Sequence, residues 1–182
     1  MIMLIVILVV AAFLTFLFVV VSKPNNFRMQ RSVTISAPAD VIYSHIADFH
    51  KWQAWSPWEQ LDPDMTRTYS GAEAGVGAVY GWQSKGKAGQ GRMTIREAAP
   101  AHRLLINLDF IKPFPATNSA EFLLQPVSGS GGDSTVVTWA MFGPSPFMSK
   151  LMGTIMNMDD LIGKDFERGL ENLKHLSERD AA

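Results

Sequence analysis

The chain has 182 residues, of which 16 are basic and 17 acidic, with four histidines and no cysteine. Its formal net charge of −1 excludes general nucleic-acid binding, because such a protein needs a surplus of basic side chains to neutralise phosphates. The absence of cysteine excludes disulfide bonds, thiolate zinc sites, iron–sulfur clusters and cysteine nucleophiles.

The first 21 residues form an apolar segment with one polar side chain, Thr15, and no charged one. As a helix, this segment spans about 30 Å, which is the thickness of the hydrocarbon core of a bilayer. A cleaved signal peptide is the alternative, but no Lys or Arg precedes the segment and no small-x-small cleavage pattern follows it. We therefore predict a transmembrane anchor over residues 1–22, a linker over 23–26 and one soluble domain over 27–182.

Basic residues follow this segment closely, at Lys23, Arg28 and Arg31, whereas only the α-amine precedes it. The positive-inside rule then predicts a single-pass membrane protein whose soluble domain lies on the cytoplasmic side. The opposite orientation stays open, because a folded domain can be exported in spite of a bias of this size.

The soluble part begins with a strand and a short helix. Residues 30–37 alternate polar and apolar side chains, as a half-buried strand does, and a helix starts at Pro38. An aromatic segment follows over 49–58, where Pro57 prevents a continuous helix. Six further strands are predicted at 66–70, 77–83, 89–97, 103–110, 116–125 and 135–142.

The last predicted element is a helix. Ser145 and Pro146 are a typical helix start, and an apolar stripe at helical spacing continues for about 30 residues. A single antiparallel sheet has one apolar face, and this helix is the only element long enough to cover it. The predicted fold class is therefore α+β, with a wedge of space between a curved sheet and one long helix.

This layout resembles a known family in the order of its segments and in their amino-acid sequences. The matching stretches are VTISAPADVI at 33–42, DFHKW at 48–52, WSPW at 55–58, GVG at 75–77 and VVTW at 136–139. Together they resemble the helix-grip fold of the START/Bet v 1-like (SRPBCC) superfamily, of the polyketide cyclase/dehydrase and lipid-transport type. The resemblance implies a curved antiparallel sheet wrapped on a long C-terminal helix. It also implies one of several functions, because members include hydrophobic-ligand carriers, ligand sensors, cyclases, hydrolases and co-chaperone domains.

The candidate ligand-binding residues are large apolar side chains that share a face of a strand or helix. They are Trp55, Trp58, Tyr80, Trp82, Ile106, Phe110, Phe122, Trp139, Met141, Met152, Ile155 and Met156. The tryptophans are interpreted either as a mouth that orients a ligand through indole N–H groups or as a plug for the open end of the sheet. The methionines suit either an adaptable binding surface or an ordinary gap-filling core.

We expect a membrane-anchored binding protein for a small hydrophobic ligand (a lipid, isoprenoid or polyketide-like molecule), with no cofactor, metal or catalytic residue. Metal-ligand spacings such as His-x-x-x-His are absent from the sequence. One alternative is a cyclase, dehydratase or hydrolase, which requires polar groups in the cavity from among His45, His50, Tyr80, Glu97 and Asp109. The other is a protein-interaction module with a closed cavity.

Overall fold

The computed structural model describes residues 1–62, 64–86, 88–127, 133–155 and 158–182, with only the backbone of Met158 and Leu161. Its helices are α1 (Ile2–Ser22), α2 (Ala39–Ile46), α3 (Phe147–Ile155) and α4 (Met158–Asp180), and two 3₁₀ helices cover Phe49–Ala54 and Pro57–Gln60. Its strands are β1 (Asn26–Ile35), β2 (Thr66–Gly71), β3 (Ala78–Gln83), β4 (Gln90–Ala99), β5 (Arg103–Lys112), β6 (Ala116–Val127) and β7 (Ser134–Pro144).

The strands form one antiparallel sheet in the order β1-β7-β6-β5-β4-β3-β2. Every strand except β1 pairs with its neighbour in sequence, and β1 pairs with β7 over its whole length. An irregularity in the pairing of β4 with β5, between Ile95 and Glu97, adds local bending to the sheet. The structure confirms the predicted α+β fold class and the seven strands. β1 begins at Asn26, so residues 23–25 connect it to α1.

Helix α4 covers one face of the sheet with side chains at helical spacing, of which Phe166, Leu170 and Leu173 are buried. Gly169 lets the helix approach closely, because a Cβ atom at this position would lie 2.8 Å from the ring of Trp139. At its N-terminal end, α4 is held to β1 by Arg31, which pairs with Asp159 and Glu167 at 3.0 and 2.7 Å.

The predicted C-terminal helix of about 30 residues corresponds to two described helices. These are the nine-residue α3 and the 23-residue α4, and residues 156–157 between them lie outside the described part of the chain. Ile155 on α3 is exposed while Phe166 on α4 is buried. The difference arises because α3 packs mainly against α1, whereas α4 packs against β1, β7 and α2.

Helix α1 has 21 residues and is long and apolar enough to cross a membrane. Almost all its side chains are exposed, and Val20 in the last turn is the one that is fully buried. An apolar helix with this exposure contributes little to the core of the domain, so the domain core is built without it.

Candidate functional site

A cavity of about 250 Å³ lies between the sheet, α4 and the two 3₁₀ helices. Its lining is almost entirely apolar, and the polar side chains in it are Ser56, Glu59 and Tyr80. The other lining residues are Trp52, Trp58, Met65, Trp82, Ala88, Met93, Leu108, Phe110, Ala120, Trp139, Met141, Ile162 and Phe166. Such a lining favours an apolar occupant with few polar groups.

One wall of the cavity is a stack of aromatic rings. Trp139 lies nearly parallel to Phe166, with ring centroids 4.5 Å apart, and it also stacks with Phe122 at 4.9 Å. Trp58 meets the ring of Trp139 edge-on at 5.2 Å. Because rings on several sides hold it, Trp139 has little freedom to move aside, and this wall is expected to keep its shape.

Trp82 forms another part of the wall, and its position depends on a glycine. Gly91 faces Trp82 across the β3–β4 pair, and a Cβ atom on Gly91 would lie 2.3 Å from the indole ring. The indole Nε1 donates a hydrogen bond to the carbonyl oxygen of Ala88 at 2.9 Å. The missing side chain at Gly91 therefore provides the space that the indole occupies.

A charged pair and a tyrosine meet at the cavity wall; we call Glu59, Arg67 and Tyr80 the polar corner. Arg67 Nε donates to Glu59 Oε2 at 2.6 Å, and the Tyr80 hydroxyl donates to Glu59 Oε1 at 2.5 Å. Glu59 is 8% exposed. Burial, and then the hydrogen bond to Glu59 and its negative charge, raise the pKa of Tyr80 well above its ordinary value. Tyr80 is thus a neutral donor at neutral pH, and the corner can accept a hydrogen bond from a bound molecule.

Six of the twelve predicted site residues line the cavity: Trp58, Tyr80, Trp82, Phe110, Trp139 and Met141. Trp55, Ile106 and Phe122 are instead fully buried in the core and do not line it. Met152 and Ile155 are exposed on α3, outside the cavity, because α3 packs against α1. Met156 lies outside the described residues.

The tryptophans of the aromatic segment do not all fit one of the two interpretations, a mouth that orients a ligand or a plug for the open end of the sheet. Trp55 is a plug, since its ring is buried and its Nε1 donates to the carbonyl oxygen of His45 at 3.3 Å. Trp52 lines the cavity with its ring, but its Nε1 donates to the carbonyl oxygen of Ile46 at 3.0 Å. Neither indole N–H is available to orient a ligand.

Among the five residues that the enzymatic alternative requires, Tyr80 is the one that lines the cavity. His50 stacks on a tyrosine and contacts Asp48, and Glu97 pairs with Arg103. Asp109 accepts hydrogen bonds from Asn107, Thr117 and Arg92. His45 is buried 3.3 Å from an oxygen of Asp180, and burial lowers its pKa.

Sequence reasoning missed Glu59 and Arg67 of the polar corner and the wall residues Ser56 and Met65. Glu59 follows Trp58 directly, so the aromatic segment itself was a signal for its position. Nothing local pointed to Arg67, because a basic residue on a short strand is ordinarily interpreted as solvent-facing.

Comparisons with known proteins agree with this architecture. A family model described as polyketide cyclase / dehydrase and lipid transport matches residues 26–178. No curated protein matches the sequence.

Solved structures share the fold at low sequence identity. A norcoclaurine synthase point mutant from Thalictrum flavum, bound to a transition-state analogue, is 12% identical with a TM-score of 0.58, over 86% of this chain and 97% of that one. A protein from Thermobifida fusca is 22% identical with a TM-score of 0.57, over 84% and 93%. The Aha1 dimer from Colwellia psychrerythraea is 15% identical with a TM-score of 0.53, over 84% and 96%. At these identities, the likeness concerns the fold alone.

The family model begins at the first residue of β1 and ends within α4, so it covers the whole sheet and the helix that packs on it. The chain therefore belongs to the polyketide cyclase/dehydrase and lipid-transport family, within the SRPBCC/Bet v 1-like superfamily.

Proposed function

We propose that the protein is a membrane-anchored binding protein that holds a small hydrophobic molecule between the sheet and α4. The observation that carries this proposal is the apolar cavity of about 250 Å³. At about 30 Å³ for each water-sized group, the cavity holds about eight such groups. This volume fits a small isoprenoid, a polyketide-like ring system or part of one acyl chain, and it excludes a whole diacyl lipid.

Burial of roughly 300 Å² of ligand surface, at about 25 cal/mol/Å², contributes about 7 kcal/mol to binding before the costs of association. The polar corner then gives the ligand one preferred orientation. Glu59 and Tyr80 supply hydrogen-bond acceptors at one place in an otherwise apolar lining. The ligand we expect is therefore mostly apolar, with a hydroxyl or similar donor at one end.

The anchor is part of the proposal. Residues 1–22 form the span, and the domain that follows from residue 27 lies on the cytoplasmic side because Lys23, Arg28 and Arg31 come directly after the span. Accessibility of the domain to protease in sealed right-side-out and inverted vesicles tests this orientation.

The binding proposal is tested by recovering the ligand. The full chain is purified from membranes in mild detergent, extracted with organic solvent and analysed by mass spectrometry. Ala120 lines the cavity, and Ala120→Leu adds three carbon atoms that take up about a third of its volume at about 30 Å³ each. Ala116→Leu, at an exposed position on the same strand, is the matched control.

We expect a discrete small hydrophobic compound with the wild type and with Ala116→Leu, and at least a tenfold lower yield with Ala120→Leu. Equal recovery from all three proteins would mean that the compound is bound elsewhere. No recovered compound, together with no binding of a small apolar probe such as the ten-carbon naphthalene, would contradict the proposal.

A second candidate function is chemistry on the bound molecule. It is favoured by one observation, the pairing of the Tyr80 hydroxyl with the Glu59 carboxylate in the cavity wall, because paired groups of this kind can move a proton. If the recovered compound is converted by the wild type, Glu59→Gln should retain binding and lose turnover. The closed-cavity alternative has less support, since a cavity of about 250 Å³ is large enough for a ligand.

A further inference from the structure

Helix α3 exposes an apolar face that no other described element covers. Met148, Met152 and Ile155 are 56%, 41% and 67% exposed, and their spacing places them on one side of the helix. Phe147, in the first turn, is 48% exposed as well. Soluble domains rarely expose a row of large apolar side chains without a partner.

The other side of α3 is fastened to the last turn of α1. Lys150 is buried, and its Nζ donates to the carbonyl oxygen of Val21 at 3.3 Å and to Asn25 Oδ1 at 2.8 Å. Lys23 Nζ donates to the carbonyl oxygen of Gly153 at 2.6 Å. These bonds satisfy carbonyl groups that a helix end leaves free, and they fix α3 beside the end of the anchor.

The depth of α3 follows from the length of α1. A 21-residue helix is about 31 Å long, so nearly all of α1 is needed to cross a hydrocarbon core of about 30 Å. An element packed on its last turn therefore lies at the level of the lipid headgroups. This is the depth at which amphipathic helices bury an apolar face by about 5–10 Å.

A second exposed apolar group lies at the same end of the sheet, which we call the anchor end: the end at which β1 and β6 begin and β5 and β7 end. The strand register places it there, because Asn26 pairs with Pro144 and Phe110 pairs with Ala116. Phe114, in the turn between β5 and β6, is 74% exposed.

Exposed apolar side chains are concentrated at the anchor end. After residue 22, the described residues include nine large apolar side chains that are exposed, and six of them lie on α3 or at the β5–β6 connection. Val76 and Val127 lie at the opposite end of the sheet, at the β2–β3 turn and the end of β6. A scattered surface distribution would not favour one end in this way.

We propose that α3 and the β5–β6 turn form a surface that dips into the lipid bilayer. Residues 23–25 span at most about 10 Å, so the anchor end stays near the membrane. The cavity is lined by Trp82, Phe110 and Met141, which lie near the ends of their strands at this end of the sheet. The bilayer-contact surface therefore lies beside the cavity. The inference rests on the proposed function only in requiring that α1 spans the membrane.

The test uses single cysteines in the full chain, which has no natural cysteine to remove. Met152→Cys and Phe114→Cys probe the proposed surface, and Val76→Cys and Val127→Cys are matched controls at the other end of the sheet. Val10→Cys reports on the anchor itself. Each protein carries a nitroxide label and is reconstituted in vesicles of phosphatidylcholine and phosphatidylglycerol at 3:1. Accessibility to oxygen, which concentrates in lipid, is compared with accessibility to a water-soluble nickel chelate.

We expect the labels at 152, 114 and 10 to be oxygen-accessible, and the labels at 76 and 127 to be accessible to the chelate. A label at 10 in lipid with labels at 152 and 114 in water would overturn the contact surface and leave the anchor intact. A label at 10 in water would overturn both. Labels at 152 and 114 shielded from both reagents would indicate a protein interface and would also overturn the proposal.

Discussion

Removal of the Tyr80 hydroxyl group is the most direct test of how much the polar corner contributes to stability. Tyr80→Phe keeps the ring and its packing but removes the donor that lies 2.5 Å from Glu59 Oε1. A hydrogen bond to a charged acceptor contributes about 1.5–3 kcal/mol, and Glu59 keeps its bond from Arg67. We expect the free energy of unfolding to fall by about 1.5–2 kcal/mol, which lowers the Tm by about 3–8 °C for a chain of this size.

Thermal unfolding of the full chain in nonionic detergent, followed by tryptophan near-UV circular dichroism, measures this loss. Tyr69→Phe is the matched control, because Tyr69 faces Tyr80 across the β2–β3 pair and its hydroxyl accepts an exposed hydrogen bond from Gln53 at 3.2 Å. This control should change the free energy of unfolding by less than about 0.5 kcal/mol. If both variants unfold at the wild-type temperature, water solvates Glu59 as well as Tyr80 does, and the corner stabilises nothing.

A double-mutant cycle measures the interaction free energy between Tyr80 and Glu59 apart from the contacts that each makes with other residues. Glu59→Gln alone should cost more than Tyr80→Phe, because it leaves the guanidinium of Arg67 without its carboxylate partner, and the arginine side chain is only 19% exposed. If the two groups interact as the geometry indicates, the double variant should be more stable than the sum of the single losses predicts, by about 1 kcal/mol. Strict additivity would contradict the direct contact.

Three further changes probe the cavity walls and the core. Gly91→Ala forces the indole of Trp82 aside and should lower the free energy of unfolding by about 1–3 kcal/mol, measured by thermal unfolding. Phe166→Ala should cost about 3 kcal/mol and should allow a larger dye to bind in a fluorescence titration. Burial lowers the pKa of His45, so the unfolded chain takes up its proton more readily and stability falls as the pH drops below about 6.5. His45→Gln should reduce the Tm difference between pH 7.5 and 5.5, although Asp180 lies 3.3 Å away and partly offsets the burial.

The alternation of apolar side chains along the strands was enough to find much of the cavity. Tyr80 and Trp82 share a face of β3, and Trp139 and Met141 share a face of β7, and all four line the cavity. A period of two residues determines which side chains share a face, and a sheet with one covered face leaves little choice of direction. The seven strands were predictable for the same reason.

The same reasoning failed for α3, because helical spacing does not identify the partner of a helix. Met152 and Ile155 continue the apolar stripe of α4 in sequence, yet they lie on a helix that packs against α1. The contact between Glu59 and Arg67 in the polar corner was unpredictable for a different reason. Glu59 and Arg67 meet only because a 3₁₀ helix returns the chain to the start of β2, and such a contact depends on tertiary structure.

The short connection between anchor and domain bears on what a bound ligand can do. Residues 23–25 reach about 10 Å when fully extended. With α1 spanning a membrane, as we propose, the cavity therefore stays at the surface of that membrane. A carrier between two membranes must dissociate from the first or reach across to the second, and a connection of this length permits neither unless the membranes nearly touch. The proposed function is therefore retention or presentation of a small hydrophobic molecule at one membrane. A ligand that enters at the anchor end exchanges with that bilayer or with a partner protein at the same surface.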